Sequence, residues 1–118
     1  MHIVTSIAVG IVALIHVYIL VLEMFLWEKP AGFRAFSLSK DFAAATRVLA
    51  GNQGLYNGFL AAGLFWGLGT GDIRVQYFFL GCVLVAGVYG AFTANVRILW
   101  VQAAPAAVAL VLLGMGSF

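Results

Sequence analysis

Long apolar runs, broken by short charged segments, dominate the chain. Four stretches hold no Asp, Glu, Lys or Arg: Met1–Leu22, Val48–Gly71, Val75–Val96 and Ile98–Phe118. Each is close to the roughly 20 residues that a helix needs to cross hydrocarbon. The pattern predicts an all-α integral membrane protein, a four-helix bundle forming one domain over 1–118, with helices at about 3–27, 40–68, 73–93 and 98–115. Glu28-Lys29-Pro30-Ala31-Gly32 is expected to break the first helix, since Pro and Gly punctuate helical patterns. The following Phe33 to Leu38 mixes Phe33 and Phe36 with Arg34, a composition suited to a membrane surface. Ser39 reads as an N-cap with Asp41 in the first turn, and Gly51-Asn52-Gln53-Gly54 marks an expected interruption of helix 2. Gly69-Thr70-Gly71-Asp72 reads as a tight turn with Asp72 capping helix 3, and Pro105 is expected to kink helix 4.

Composition sharpens the class. Hydrophobic residues make up 64% of the chain, charged residues 8%, and the mean hydropathy is +1.10. Soluble domains carry about 25% charge, so disorder, a nucleic-acid-binding domain and a soluble enzyme are excluded. The single cysteine, Cys82, rules out an intrachain disulfide, and the residues name no metal site and no particular cofactor. The pI near 9.0 rests on a surplus of two charges, which speaks for membrane orientation and not for nucleic acid as a partner. No Lys/Arg-rich region precedes the first apolar run, so Met1–Leu22 is expected to persist as a helix and not as a cleaved signal. The loops after helices 1 and 3 carry Lys29, Arg34, Lys40, Arg47 and Arg97, against Arg74 alone on the other side. Five against one predicts both loops in the cytoplasm and both termini outside.

The chemistry lies in polar residues set within apolar helices. Gly54 and Gly58, Gly63 and Gly67, and Ala86 and Gly90 form small-xxx-small pairs that let helices approach closely in lipid, within one bundle or in a homo-oligomer. His16 and Glu23 are seven residues apart, almost two helical turns, so they share a face. An ionised carboxylate facing the centre of a bilayer costs roughly 2.5–3.5 kcal/mol, so Glu23 should face the bundle, pair with a cation such as Arg47, or approach the headgroups. Helix 2 holds Asn52, Gln53, Tyr56 and Asn57 within an arc of about 140°. Hydrocarbon offers such groups no partner, so they either bind helices together or line a wet cavity. Glu23, the Asn52–Asn57 group, Tyr89 with Thr93, and Arg97 with Trp100 and Gln102 all fall toward the cytoplasmic ends of their helices. One polar chamber is the expectation, with Glu23 and His16 as catalytic candidates. Asn52, Gln53, Tyr56, Asn57, Tyr89 and Arg97 are the ligand-binding candidates.

At His16-Val17-Tyr18-Ile19, at Leu22-Glu23-Met24-Phe25-Leu26-Trp27 and at Asn52 through Leu64, the chain resembles a bacterial family of small four-helix membrane proteins, the domain of unknown function 1304. The resemblance covers essentially the whole chain. It implies a multi-pass protein of the bacterial inner (cell) membrane and a shared pocket, and it brings no established reaction. A fainter similarity is to the styrene oxide isomerases, small four-helix membrane enzymes that use haem. Arg47, Gly54, Asn57 and Gly58 echo the opening of their second helix, whereas Gly51 or Asn52 stands where their haem-ligating His would lie.

Three function classes fit these residues. The first is an isomerase-like enzyme acting on a small lipophilic molecule, with Glu23 and His16 as proton carriers and Asn52, Tyr56 and Asn57 holding a polar group or oxyanion. The second is a small proton-coupled transporter, since four helices and a Glu in helix 1 also describe the small multidrug exporters. The third is a structural membrane subunit without a ligand. For topology the expected outcome is direct. Single cysteines introduced near Gly32 and at Phe118 should react with membrane-impermeant reagents from opposite sides, and labelling of both from one side overturns the arrangement.

Overall fold

The computed structural model describes residues 2–116, so Phe118 and the far C-terminus lie outside the described residues. Five α-helices appear among them: α1 (His2–Met24), α2 (Pro30–Phe36), α3 (Lys40–Thr70), α4 (Ile73–Thr93) and α5 (Ala104–Gly116). A π-helical turn, Leu99–Ala103, leads into α5. No strand occurs among the described residues. The chain is thus all-α, with five helices where four were expected.

The extra helix is α2. Pro30, expected only as a breaker, opens it, because the first position of a helix loses nothing when its N–H is missing. Lys29 in an extended conformation precedes it. Ser37 closes it in a left-handed conformation, φ 56°, where its N–H donates to Phe33 O. Helix α1 stops at Met24, short of the expected Trp27, and the amide of Leu26 reaches back five residues to Val21 O. Helix α3 runs unbroken through Gly51-Asn52-Gln53-Gly54, so the expected interruption is absent. Both expected caps form. Ser39 Oγ accepts from Phe42 N at 3.2 Å, and Asp72 Oδ1 accepts from Arg74 N at 3.0 Å and Val75 N at 3.4 Å. Before Pro105 the helix widens: Ala104 N–H donates to Leu99 O, five residues back. A ring that cannot donate is accommodated here by a π turn.

The helices gather into two compact units, one containing residues up to Ile15 and from Leu60 onward, the other His16–Phe59. The first has an apolar core in which Val9, Val12 and Ala13 of α1 meet Leu64 of α3, Leu80 and Val83 of α4, and Ala106, Ala109 and Leu113 of α5. Small residues set the close approaches. Gly63 lies against the Phe79 ring, and Gly67 against Gln76 and Val75. On α4 the contact residues are Gly87 and Gly90, facing Ala103 and Ile98, while Ala86 of the expected pair is exposed. Gln76 is buried there, and its Nε2 donates to Gly67 O at 3.0 Å. In the second unit the end of α1 packs on the start of α3, and α2 lies in the connection between them.

Large apolar side chains point outward to an extent that water would not tolerate; Phe92 is 86% exposed and Val48 71%. Among the described residues three helices are long and apolar enough to cross a membrane, Ile3–Met24, Ile73–Thr93 and Leu99–Gly116. By length and composition these are the helices of a membrane protein. The 31-residue α3 is long enough too, but Asn52, Gln53 and Asn57 dilute its apolar run.

Two glycines of α4 give a paired expectation. A methyl group at Gly87 would lie 2.7 Å from Ala103 N, a backbone atom that cannot yield, whereas nothing lies within 4 Å at Gly81. Gly87→Ala should lower stability by about 1–3 kcal/mol, and Gly81→Ala should be neutral or raise it by up to about 1 kcal/mol. Unfolding in mixed detergent, followed by circular dichroism, checks both.

Candidate functional site

The second unit holds the sequence-predicted residues in their closest arrangement. Gly54 and Gly58 of α3 lie against Leu20, Glu23 and Met24 of α1: a methyl at Gly54 would come within 2.5 Å of Met24 Cγ, and one at Gly58 within 2.7 Å of Leu20 Cδ1. Ala43 and Ala50 are buried on the same stripe as Gly54. These small residues bring the two backbones near enough for a short side chain to bridge them. Asn57 does so, its Nδ2 donating to Glu23 Oε1 at 2.7 Å. The same nitrogen donates to Gln53 O, one turn back on its own helix, at 3.1 Å. Both N–H bonds of the amide are therefore used. Glu23 and Asn57 are half-buried, and a hydrogen bond between such groups contributes about 0.5–1.5 kcal/mol net.

The expected gathering of Asn52, Gln53 and Tyr56 with Glu23 and Asn57 in one chamber does not form, because these three side chains are exposed. His16 is fully buried, and no buried side-chain nitrogen or oxygen among the described residues lacks a partner. Seven residues place it about 10 Å from Glu23 along the helix axis, too far for direct contact. Asn52 and Gln53 are exposed, and Asn52 Nδ2 donates to Val48 O of its own helix at 2.9 Å. Tyr56 is also exposed, its ring tilted against Phe59 at 6.2 Å. Tyr89 and Arg97 belong to the other unit. Tyr89 is exposed at the end of a shallow apolar groove of α4 lined by Tyr77, Gly81, Cys82 and Val85, and its carbonyl accepts from Thr93 Oγ1 at 2.8 Å. Arg97 is exposed, and its backbone N–H donates to Asn95 Oδ1 at 2.9 Å.

Arg47 does not pair with Glu23. Its Nε meets Glu28 Oε1 at 3.4 Å, and both side chains are well exposed, an arrangement worth at most about 1 kcal/mol. The physical reason is reach: Glu28 lies in the connection after α1, level with the first turns of α3, while Glu23 sits deeper against Asn57. Sequence reasoning missed a further contact at this level. Trp27 Nε1 donates to Thr46 Oγ1 at 3.1 Å, Thr46 Oγ1 donates to Phe42 O at 2.7 Å, and the Trp27 ring packs on Phe36 at 5.0 Å. An antiparallel α1–α3 register seeded by Glu23 and Asn57 is the signal that would have found it. Among the described residues no three His, Cys, Asp or Glu side chains come together as a metal site.

Comparison with known proteins bears on the whole chain. The family model described as "Protein of unknown function (DUF1304)" matches residues 10–114. The uncharacterized protein YpaA of Lactococcus lactis subsp. lactis (strain IL1403) is 30% identical over 115 residues, covering 94% of this chain and 97% of its own. No solved structure matches.

The Glu23–Asn57 bond yields a quantitative expectation. Asn57→Ala leaves a half-buried carboxylate without its donor and should cost about 1–3 kcal/mol. Combined with Glu23→Ala, the two changes should be non-additive by about 0.5–3 kcal/mol. A double-mutant cycle by detergent unfolding measures the coupling, and strict additivity would show the bond to be energetically silent.

Proposed function

The chain belongs to the DUF1304 family, and on that premise we propose that it is a multi-pass protein of the bacterial cell membrane that carries out isomerase-like chemistry on a small lipophilic molecule. Its positive loops face the cytoplasm and its termini lie outside. Glu23 is the acid–base group. Asn57 orients its carboxyl, and the exposed side chains of Asn52, Gln53 and Tyr56 on the same stretch of α3 take the polar group of the ligand. His16 is a second titratable group, deeper on α1.

One observation carries this reading: a carboxyl group at the end of an apolar helix, half-buried and held by an amide at 2.7 Å. A lipophilic molecule partitions into the surrounding hydrocarbon, so the membrane concentrates it at this level. A proton moved between two carbons, or between carbon and oxygen, needs one well-placed acid–base group and a donor to steady the developing charge. Such groups contribute typically 10²–10⁴-fold. A second reading, a structural subunit, is favoured by the Asn57 amide itself, since both of its N–H bonds are spent within the protein.

Glu23→Gln separates the two. The substitution keeps an acceptor for Asn57 and removes the titratable proton. Purified protein in lipid nanodiscs is incubated with a panel of small lipophilic epoxides and unsaturated ketones, and isomeric products are resolved by gas chromatography. The expected result is turnover by the wild type that falls at least 100-fold in Glu23→Gln, with melting unchanged to within about 1 kcal/mol. Full activity in the variant, or no product from the wild type across the panel, defeats the acid–base reading.

A further inference from the structure

The connection from α1 to α3 combines three features that meet nowhere else among the described residues. Its cations are unneutralised: among the described residues Lys29, Arg34 and Lys40 have no carboxylate partner, while Glu28 is engaged by Arg47. Asp41 is the other acid of the segment, placed in the first turn of α3, where a negative charge offsets the helix dipole. All three cations are exposed. The second feature is aromatic. Trp27, Phe33 and Phe36 are half-buried among them, with Trp27 held by both Phe36 and Thr46. The third is position, since the segment begins directly where the apolar span Ile3–Met24 ends. The turn at the other end of α3 differs: Arg74 lies 3.6 Å from Asp72, so positive charge there is locally compensated.

We propose that this connection, through Lys29, Arg34 and Lys40, binds the headgroups of anionic phospholipids. The phosphate level of a leaflet lies just beyond the hydrocarbon, at the height where α1 ends and where Trp rings anchor. Helix α2 starts within two turns of that point. Its Phe33 and Phe36 supply the apolar contact and its Arg34 the charge, the combination by which short amphipathic segments sit in the interface. A guanidinium takes a phosphate oxygen pair bidentately, and two flanking ammonium groups add attraction that a zwitterionic headgroup cancels with its own cation. Ring contacts and the Pro30 start preorder the segment, so little ordering opposes binding.

The full chain in mild detergent is titrated with phosphatidylglycerol, with phosphatidylcholine of the same acyl chains, and with inorganic phosphate, and bound lipid is read by native mass spectrometry. Phosphatidylglycerol should be retained preferentially. Lys29→Gln, Arg34→Gln and Lys40→Gln should each lower the preference about fivefold, and Arg74→Gln should leave it unchanged. In the wild type, raising the salt from 0.05 to about 0.5 M should shrink the preference, a readout that needs no variant. Equal retention of the two lipids, a preference indifferent to salt, or a preference surviving all three substitutions overturns the assignment. Displacement of the lipid by millimolar phosphate overturns it as well, because the site would then hold a free anion.

Discussion

Hydrocarbon neither donates nor accepts hydrogen bonds, so every polar group that a membrane helix carries inward has to be answered by the protein. Glu23 is where this constraint presses hardest on the chain. Its carboxyl lies one residue from the end of an apolar span, and Asn57 answers it across the gap between α1 and α3. That bond exists only because Gly54 and Gly58 offer no side chains to α1, so the helices close to a distance an asparagine can bridge. The antiparallel register follows from it. With Glu23 level with Asn57, the chain beyond Met24 arrives beside the first turns of α3, where Trp27 finds Thr46 and Glu28 finds Arg47.

The same constraint explains the rest of the polar inventory. Gln76 is buried on α4, and it spends its amide on the carbonyl of Gly67, near the end of α3. Thr46, Thr70 and Thr93 return their hydroxyls to carbonyls four residues back on their own helices, the local solution open to a short side chain. Asn52 does likewise with Val48. Apart from Thr46, which also accepts from Trp27, such bonds are self-contained and leave the residue free to be exposed, whereas Glu23 and Gln76 reach a second segment and tie segments together.

Helix existence was legible in the sequence because apolar length and charge spacing are one-dimensional properties. Helix α4 matches its expected range, and Ser39 and Asp72 cap as their types require. What escaped was local competition. Pro30 reads as a breaker until its position at the start of a helix makes the lost N–H irrelevant, and the π turn before Pro105 depends on how the chain redistributes a missing donor. Of the candidate site, Glu23 and Asn57 were legible as groups that needed an answer, but their pairing was not. In an aqueous protein polarity tells which face looks outward. In a membrane helix it does not, because the outward face is apolar as well. On α3 the buried residues are Ala43, Ala50, Gly54, Ala61, Gly63, Leu64 and Gly67, while Asn52, Gln53 and Tyr56 look out. Apart from Leu64, every buried position on α3 is Ala or Gly, so small size marks the inward face better than polarity does.

That inversion bears on chemistry. A side chain buried between tightly packed helices is satisfied and screened, as His16 is, and a ligand reaches it only if the helices part. A polar side chain on an outward face, close to the headgroups, is open to any molecule dissolved in the membrane. Glu23 belongs wholly to neither class. It is half-buried, anchored by Asn57 on one side, and placed at the end of the span where apolar and polar surroundings meet. On the proposed reading, a carboxyl group fixed in orientation at such a boundary would exchange protons with the water side while facing solutes from the lipid side. A deeper residue would lose the first of these and a loop residue the second. The level at which α1 ends against α3, set by two glycines and an asparagine, is therefore what the proposed chemistry depends on.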